Sequence, residues 1–308
     1  MKGCPMKLEF SSLYDLFAAI PDEAAAIAYF RAIRWKNGEH CAYCGHGKIY
    51  AFSDNKTWKC AACQARFSIR VGTIFEDSKI PIRKWLAAIW IITSHRKGIS
   101  SAQLARDLDV TQKTGWFMLH RLRHAARTRS FNRPVRGNGE IDETFVGGKE
   151  GNKHASKRKH QGRGPVGKAV VFGMLEREGE LRARPLKGLG HVKTEILTNI
   201  APGANLMTDE WYGYKPIEKR YARQSVHHSK GEYARLSVHV NGIEGFWSLL
   251  KRQIVGIHHW VSPKHLARYV DEAVWRYNRR AVEDANRGAE FLTRVDGRLT
   301  YRTLIAKA

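Results

Sequence analysis

The sequence predicts an α/β or α+β domain preceded by a small metal-stapled module and a run of helices. Three observations carry that expectation: two paired-cysteine knuckles before residue 64, apolar residues at helical spacing on both sides of them, and alternating strand and helix patterns after residue 137. At 308 residues the chain exceeds the roughly 250 at which single cores stop growing, so two or three domains are expected. A hydrophobic content of 43% excludes a largely disordered chain.

Taken in chain order, residues 11–34 place apolar groups at helical spacing around Pro21, with Asp22 and Glu23 opening a second helix. Residues 35–70 then switch to cysteines, glycines and aromatics, a pattern that suits short strands around an ion. Cys41, Cys44, Cys60 and Cys63 read C-x2-C-x15-C-x2-C, two knuckles whose thiolates can converge on one tetrahedral zinc. A closed four-sulfur shell leaves no position open for chemistry, so this zinc is expected to be structural. A redox dithiol and a four-cysteine iron centre are the alternatives. His40 and His46 flank the first knuckle as surface residues, Cys4 receives no role, and the basic side chains of the module either contact DNA or solvate it.

From Pro81 to Thr128 the pattern is helical. Within it, residues 99–122 give a helix with Leu104 and Leu108 apolar, a short turn, and a second helix carrying Trp116 and Phe117, with Ser100 or Ser101 and Thr111 as caps. This is a helix-turn-helix or a plain helical hairpin. In the first case Gln112, Lys113 and Thr114 face the major groove of DNA and Arg121 follows toward phosphates.

Pro134, Gly137 and Gly139 break regular structure near residues 129–139, and a domain boundary is expected there. Beyond it come strand patterns at 139–148, 168–178 and 180–188, a helix near 191–200, a strand at 204–210, and long helices from about 241 to the 280s. Residues 147–168 carry seven Lys/Arg, including Lys157, Arg158 and Lys159, against one Glu. Such a segment is a solvated linker or an arm that orders on DNA.

Fifty-three Lys and Arg against 29 Asp and Glu leave a formal charge of +24, which favours a polyanionic partner, nucleic acid before an anionic membrane. Residues 1–70 hold ten basic and six acidic side chains, so +20 falls on residues 71–308. No apolar run reaches the roughly 18 residues needed to span a bilayer, and the expected location is the cytoplasm, on the nucleoid.

In so basic a chain, three acids stand out: Asp142 in EIDETFVGG, Asp209 in LMTDEWYGY and Glu244 in NGIEGFWSLLKR. Asp142 falls in a strand, Asp209 at the end of another, and Glu244 on a helix with Lys251 two turns later on the same face. Oxygen ligands collected in this way suit two Mg²⁺ or Mn²⁺ ions acting on a phosphodiester, with Lys251 and Arg252 beside the phosphates. Glu143 and Glu210 adjoin the acids but point to the opposite face, so they are expected to take no part. Trp211, Tyr212 and Trp247 are core residues or platforms for an unpaired base, and His227, His228, His258 and His259 are structural or phosphate-facing.

The two knuckles, IDETFVGGK at 141–149, TDEWYGY at 208–214 and the block HVNGIEGFWSLLKRQIVGIHHWVSPKHLARYVDEAVWRYNRR at 239–280 resemble bacterial insertion-sequence transposases of the ISXO-like group, over residue 20 to the end. The resemblance implies a ribonuclease-H-like catalytic domain in which Asp142, Asp209 and Glu244 form a DDE triad with Lys251 as the associated basic residue. It also implies action on terminal inverted repeats by a homodimer or higher multimer on double-stranded DNA. The expected division is a helical segment at 1–34, a zinc ribbon at 35–72, a helix-turn-helix region at 78–128, the DDE domain at 137–290 and a tail at 291–308. A non-catalytic DNA-binding regulator and a nuclease that cuts without joining are the rival functions.

Overall fold

The computed structural model describes residues 10–127, 133–148, 150–158 and 167–306. It divides into two compact units, one running to Ala126 and resuming at Arg279, the other spanning Arg127–Asn278. Cys4, Arg129 and Lys159 lie outside the described residues.

The first unit opens with α1 (Leu13–Ala19) and α2 (Glu23–Arg34), capped by Ser12 and Asp22, whose side chains accept the backbone N–H of Asp15 and Ala25. Both caps satisfy donors that a helix start otherwise leaves unpaired. β1 (Ile49–Ala51), β2 (Thr57–Cys60) and β3 (Arg66–Ser68) form an antiparallel meander in that order. α3 (Ile82–Ser94) buries Trp85, Leu86, Ile89 and Ile92. α4 (Ser101–Asp107) and α5 (Gln112–Ala125) follow as a hairpin, capped by Ser100 and Thr111. The two helices approach so closely that a Cβ on Gly115 would stand 2.8 Å from the Ser101 carbonyl oxygen.

The second unit is a mixed sheet with helices on both faces. Its strands are β4 (Asn138–Val146), β5 (Ala169–Glu176), β6 (Leu181–Leu186), β7 (Asn205–Thr208) and β8 (Ala222–Ser225), with α6 (Val192–Asn199) crossing from β6 to β7. The spatial order is β6-β5-β4-β7-β8; β5 is antiparallel to β4 and β6, whereas β7 runs parallel to β4 and β8. A short hairpin, β9 (Ala234–Arg235) and β10 (Val238–His239), leads into α7 (Asn241–Gln253), a π-helical turn at Ile254–His258, and α8 (Pro263–Asn278).

Period-two alternation along β4, β5 and β7 sorts the core into two layers. Val171, Leu175 and Met207 pack with Ile243, Phe246, Trp247 and Leu250 of α7 and with Val270 and Val274 of α8. On the opposite face Ile141, Phe172, Met174 and Leu206 pack with Val192 and Ile196 of α6 and with Tyr214 and Ile217.

After α8 the chain returns to the first unit, where α9 (Asp284–Leu292) packs on α2 and α3 and Thr73 pairs with Asp296. The expected division at residue 290, with a separate tail, is thus corrected. Phe291 and Leu292 are buried residues of the first unit, followed by α10 (Tyr301–Ile305). Among the described residues, no helix is long and apolar enough to cross a membrane.

Candidate active site and metal centre

Asp142 lies near the middle of the central strand, on the face that α7 covers. The parallel register pairs Asn138 with Asn205 and Glu140 with Met207, and continued by two residues it sets Asp209 beside Asp142. Asp209 follows the last residue of β7, where the backbone turns: its Oδ1 accepts the Trp211 N–H at 3.0 Å. Arg223 of β8 braces this turn, donating to Thr208 Oγ1 at 2.9 Å and to the Asp209 carbonyl at 2.9 Å.

Asp142 is held from α7 as well. The Trp247 indole N–H donates to Asp142 Oδ2 at 2.9 Å, and the backbone N–H of Glu143 donates to Oδ1 at 2.8 Å. The indole fits because β5 offers a glycine opposite: a Cβ on Gly173 would stand 2.7 Å from the Trp247 ring. Trp247 is accordingly core and acid partner at once. Of the other aromatics, Trp211 packs edge-on against Tyr214, while Tyr212 is exposed beneath the Lys215 ammonium.

Burial, followed by the charges of Glu143 and Asp209, pushes Asp142 up to about 8. Asp209 is also raised, mainly by burial, against the N–H of Trp211; the charge of Glu210 adds to the rise, and His228 and Arg223 oppose it. Both carboxyl groups are thus raised first by burial and then by neighbouring acids, a pattern common at functional sites.

Glu143 does point to the opposite face, where the buried Tyr214 hydroxyl donates to its carboxylate. Its side chain faces away from Asp142 and Asp209 and couples to them only through charge. Burial, opposed by the Tyr214 bond and joined by the charge of Asp209, pushes Glu143 up to about 7, and the charge of Glu143 in turn raises Asp142. A side chain's face excludes contact, not Coulomb interaction at one residue's remove. Glu210 is different: the N–H groups of Ser229 and His228 bond its carboxylate and hold it down at about 2. It anchors the loop after β8.

Glu244 sits in the first turn of α7, 40% exposed, with His228 Nδ1 3.5 Å from its Oε1. His228 also stacks on Tyr233. Among the described residues the four cysteines are the one group of three or more potential ligands whose donor atoms all lie within 4.8 Å of each other. The charge of Asp209 is felt at Asp142, whereas the contact of Glu244 is to His228, and the three acids do not form such a group. Lys251 and Arg252 are exposed in the last turn of α7, and seven residues put Lys251 on the face of Glu244.

The cysteines converge as their spacing predicts. Cys41 and Cys63 sulfurs are 3.7 Å apart, Cys44 and Cys60 sulfurs 3.6 Å, and β2 carries Cys60 into the knuckle. Four soft donors in so tight a cluster fit tetrahedral zinc.

The expected DNA contacts fare unevenly. Gln112 is exposed and donates to Ser101 Oγ at 2.9 Å, Lys113 stands over the Tyr301 ring, and Thr114 shares its hydroxyl with Thr111. Arg121 is corrected: it is buried, stacks on Phe117, and donates to the carbonyls of Ile74 and Glu76 at 2.6 and 2.8 Å. It is buried because α5 is enclosed on all sides from Met118 to Arg123. Lys157 ends a short 3-10 turn, and the Arg158 guanidinium folds back onto the Gly151 and Lys153 carbonyls.

Two family matches cover much of the chain. Residues 134–278 match the ISXO2-like transposase domain, and residues 21–66 match the transposase zinc-ribbon domain. An uncharacterized protein in the transposable element ISH50 of Halobacterium salinarum is 30% identical over 265 residues, covering 80% of this chain and 88% of that protein. A crystal structure of a pre-cleavage Mos1 transpososome aligns over 70% of this chain and 80% of that one at 10% identity and a TM-score of 0.23, too slight a likeness to carry a fold.

Proposed function

Because the chain belongs to the ISXO2-like transposase family, we propose that it binds the ends of its insertion sequence, cuts DNA strands there and joins the exposed 3′-hydroxyls to a target. The observation that carries this reading is that the parallel register of β4 and β7 runs toward Asp142 and Asp209 and that the charge of Asp209 helps burial raise Asp142 to about 8. The strand order β6-β5-β4-β7-β8, antiparallel on one side of β4 and parallel on the other, supports a ribonuclease-H-like core.

Asp142, Asp209 and Glu244 would hold magnesium or manganese, and the donor set fits: hard carboxylate oxygens of the kind these ions prefer. Such ions supply an activated oxygen nucleophile and stabilise the leaving oxygen. The chain's own residues do the rest. Trp247 orients Asp142, and the Arg223 brace orients Asp209. Glu244, exposed and on the first turn of α7, exchanges its His228 contact for the site at little cost in burial. Lys251 and Arg252 position phosphates, and Lys157 to Lys159 grip the backbone.

The four cysteines hold a structural zinc, and α4 with α5 acts as a helix-turn-helix reading double-stranded DNA through Gln112, Lys113 and Thr114. Two ends are brought together by a multimer, in the cytoplasm where chromosomal DNA is accessible.

The test is Mn²⁺- and Mg²⁺-dependent cutting and joining of duplexes carrying the element's terminal repeat. Asp142→Ala, Asp209→Ala and Glu244→Ala should each abolish both steps while end binding persists. Intact joining in any of the three sinks that residue's role. Cutting without transfer of pre-cut ends indicates a nuclease, and binding without either step a regulator.

A further inference from the structure

Glu140 took no part in the expectations drawn from the sequence, yet it is the most enclosed acid at this end of the sheet, 2% exposed. Its Oε2 accepts the backbone N–H of Ile243, in the first turn of α7, at 3.0 Å. Its Oε1 accepts from Arg177 Nε at 3.0 Å and lies 3.4 Å from His239 Nδ1. Arg177 is itself fixed, donating to the carbonyls of Ser237 at 2.6 Å and His239 at 2.9 Å. A buried carboxylate is costly unless paired and hydrogen-bonded, and this one is both.

What the arrangement accomplishes follows from the helix it touches. α7 has no side-chain cap of its own. The first-turn N–H groups of a helix need acceptors, and a carboxylate also meets the favourable end of the helix dipole. Glu140 supplies both from a neighbouring strand. Space for it is reserved at Gly242, where a Cβ would stand 2.8 Å from Glu140 Oε2 and 2.6 Å from Leu175 Cδ2.

The bond also sets a register. Glu140 and Asp142 are two residues apart on one face of β4, about 6.6 Å along a strand. Their α7 partners, Ile243 and Trp247, are four residues apart, about 6 Å along a helix. The two bonds together tie α7 to β4 at two points. Glu244 directly follows Ile243, and a slip of one residue would swing it about 100° around the helix.

We propose that Glu140 is a positioning residue: clamped by Arg177, it pins the first turn of α7 to β4 so that Glu244 is presented at the end of the sheet that carries Asp142 and Asp209. The proposal rests on the transposase reading of that trio.

The experiment uses the full chain and two variants that disturb the clamp differently. Glu140→Gln keeps the shape and one acceptor but loses the charge; Gly242→Ala keeps Glu140 and pushes it from the helix. Both are compared with wild type and Asp142→Ala in thermal melting, amide exchange of residues 241–247, and Mn²⁺-dependent cutting of terminal-repeat DNA. Both variants should fold, exchange faster over 241–247, and lose roughly 10- to 100-fold in kcat with KM for DNA unchanged. Glu140→Ala should lose more than Glu140→Gln. A merely structural ion pair lowers the melting temperature and leaves kcat per folded molecule at the wild-type value, which would overturn the proposal. If wild type does not cut, or Asp142→Ala cuts as well as wild type, the transposase reading fails by itself. The exchange measurement then still decides whether Glu140 holds α7, and unchanged exchange in both variants refutes it.

Discussion

The Trp247 indole N–H donates to Asp142 Oδ2 at 2.9 Å, joining α7 to the central strand through the acid at the centre of the site. The bond leaves the carboxylate only part of its acceptor capacity and fixes the direction of the rest. Replacing Trp247 by Phe keeps most of the buried ring and removes the donor. Strand cutting should fall about 10-fold in kcat, as for other groups that orient a metal-binding side chain. DNA affinity should not change, and gel-shift titration alongside single-turnover cutting separates the two.

Asp142 makes the second unit sensitive to pH. Its folded pKa stands at about 8 against 3.8 for the free side chain, so between those values the folded state holds a proton that the unfolded state has released. Stability must therefore decline as pH rises from about 4 to about 8, and Glu143, raised to about 7, adds in the same direction. Asp142→Asn removes the larger part. Without magnesium or manganese, the variant should be more stable than wild type at pH 8 by at least about 1 kcal/mol, with the gap closing toward pH 5. Urea melts at both pH values measure this, and an equal gap at both would contradict it.

The zinc module should behave as a separate dependency. With Cys60→Ser, the cluster loses one of four thiolates that lie within 4.8 Å of each other. Zinc content measured by mass spectrometry should drop below one ion per chain, and amide exchange should rise across residues 41–68. Exchange in β4 and α7 should stay at wild-type values, because those elements belong to the other compact unit.

The legibility of these features differed for physical reasons. Cysteine knuckles could be read directly, because metal geometry restricts both residue type and spacing. Asp142 and Asp209 could be placed because period-two alternation and strand ends are local properties. Glu140 could not: its partners Arg177, His239 and Ile243 lie 37 to 103 residues away, and nothing local separates it from an ordinary surface acid. Glu143 takes the face that alternation assigns it, while its influence on Asp142 is electrostatic and leaves no local signal in the sequence. The return of α9 to the first unit was hidden as well, since amphipathic spacing shows that a helix packs but not on what.

Arg121 and Lys113, both expected at DNA, should now separate cleanly. Arg121 donates to two backbone carbonyls from a buried position, so Arg121→Ala leaves those acceptors unsatisfied and should cost about 2 kcal/mol of stability. It neutralises no phosphate, so the salt dependence of DNA binding by the folded fraction should not change. Lys113 is exposed at the start of α5 and stands over the Tyr301 ring. Lys113→Ala should leave the melting temperature unchanged and lower the slope of log K against log salt by about 1, the signature of one lost phosphate contact. If Arg121→Ala lowered that slope at constant stability, its guanidinium would have to leave the Ile74 and Glu76 carbonyls on binding, and the helix would read DNA from its buried face.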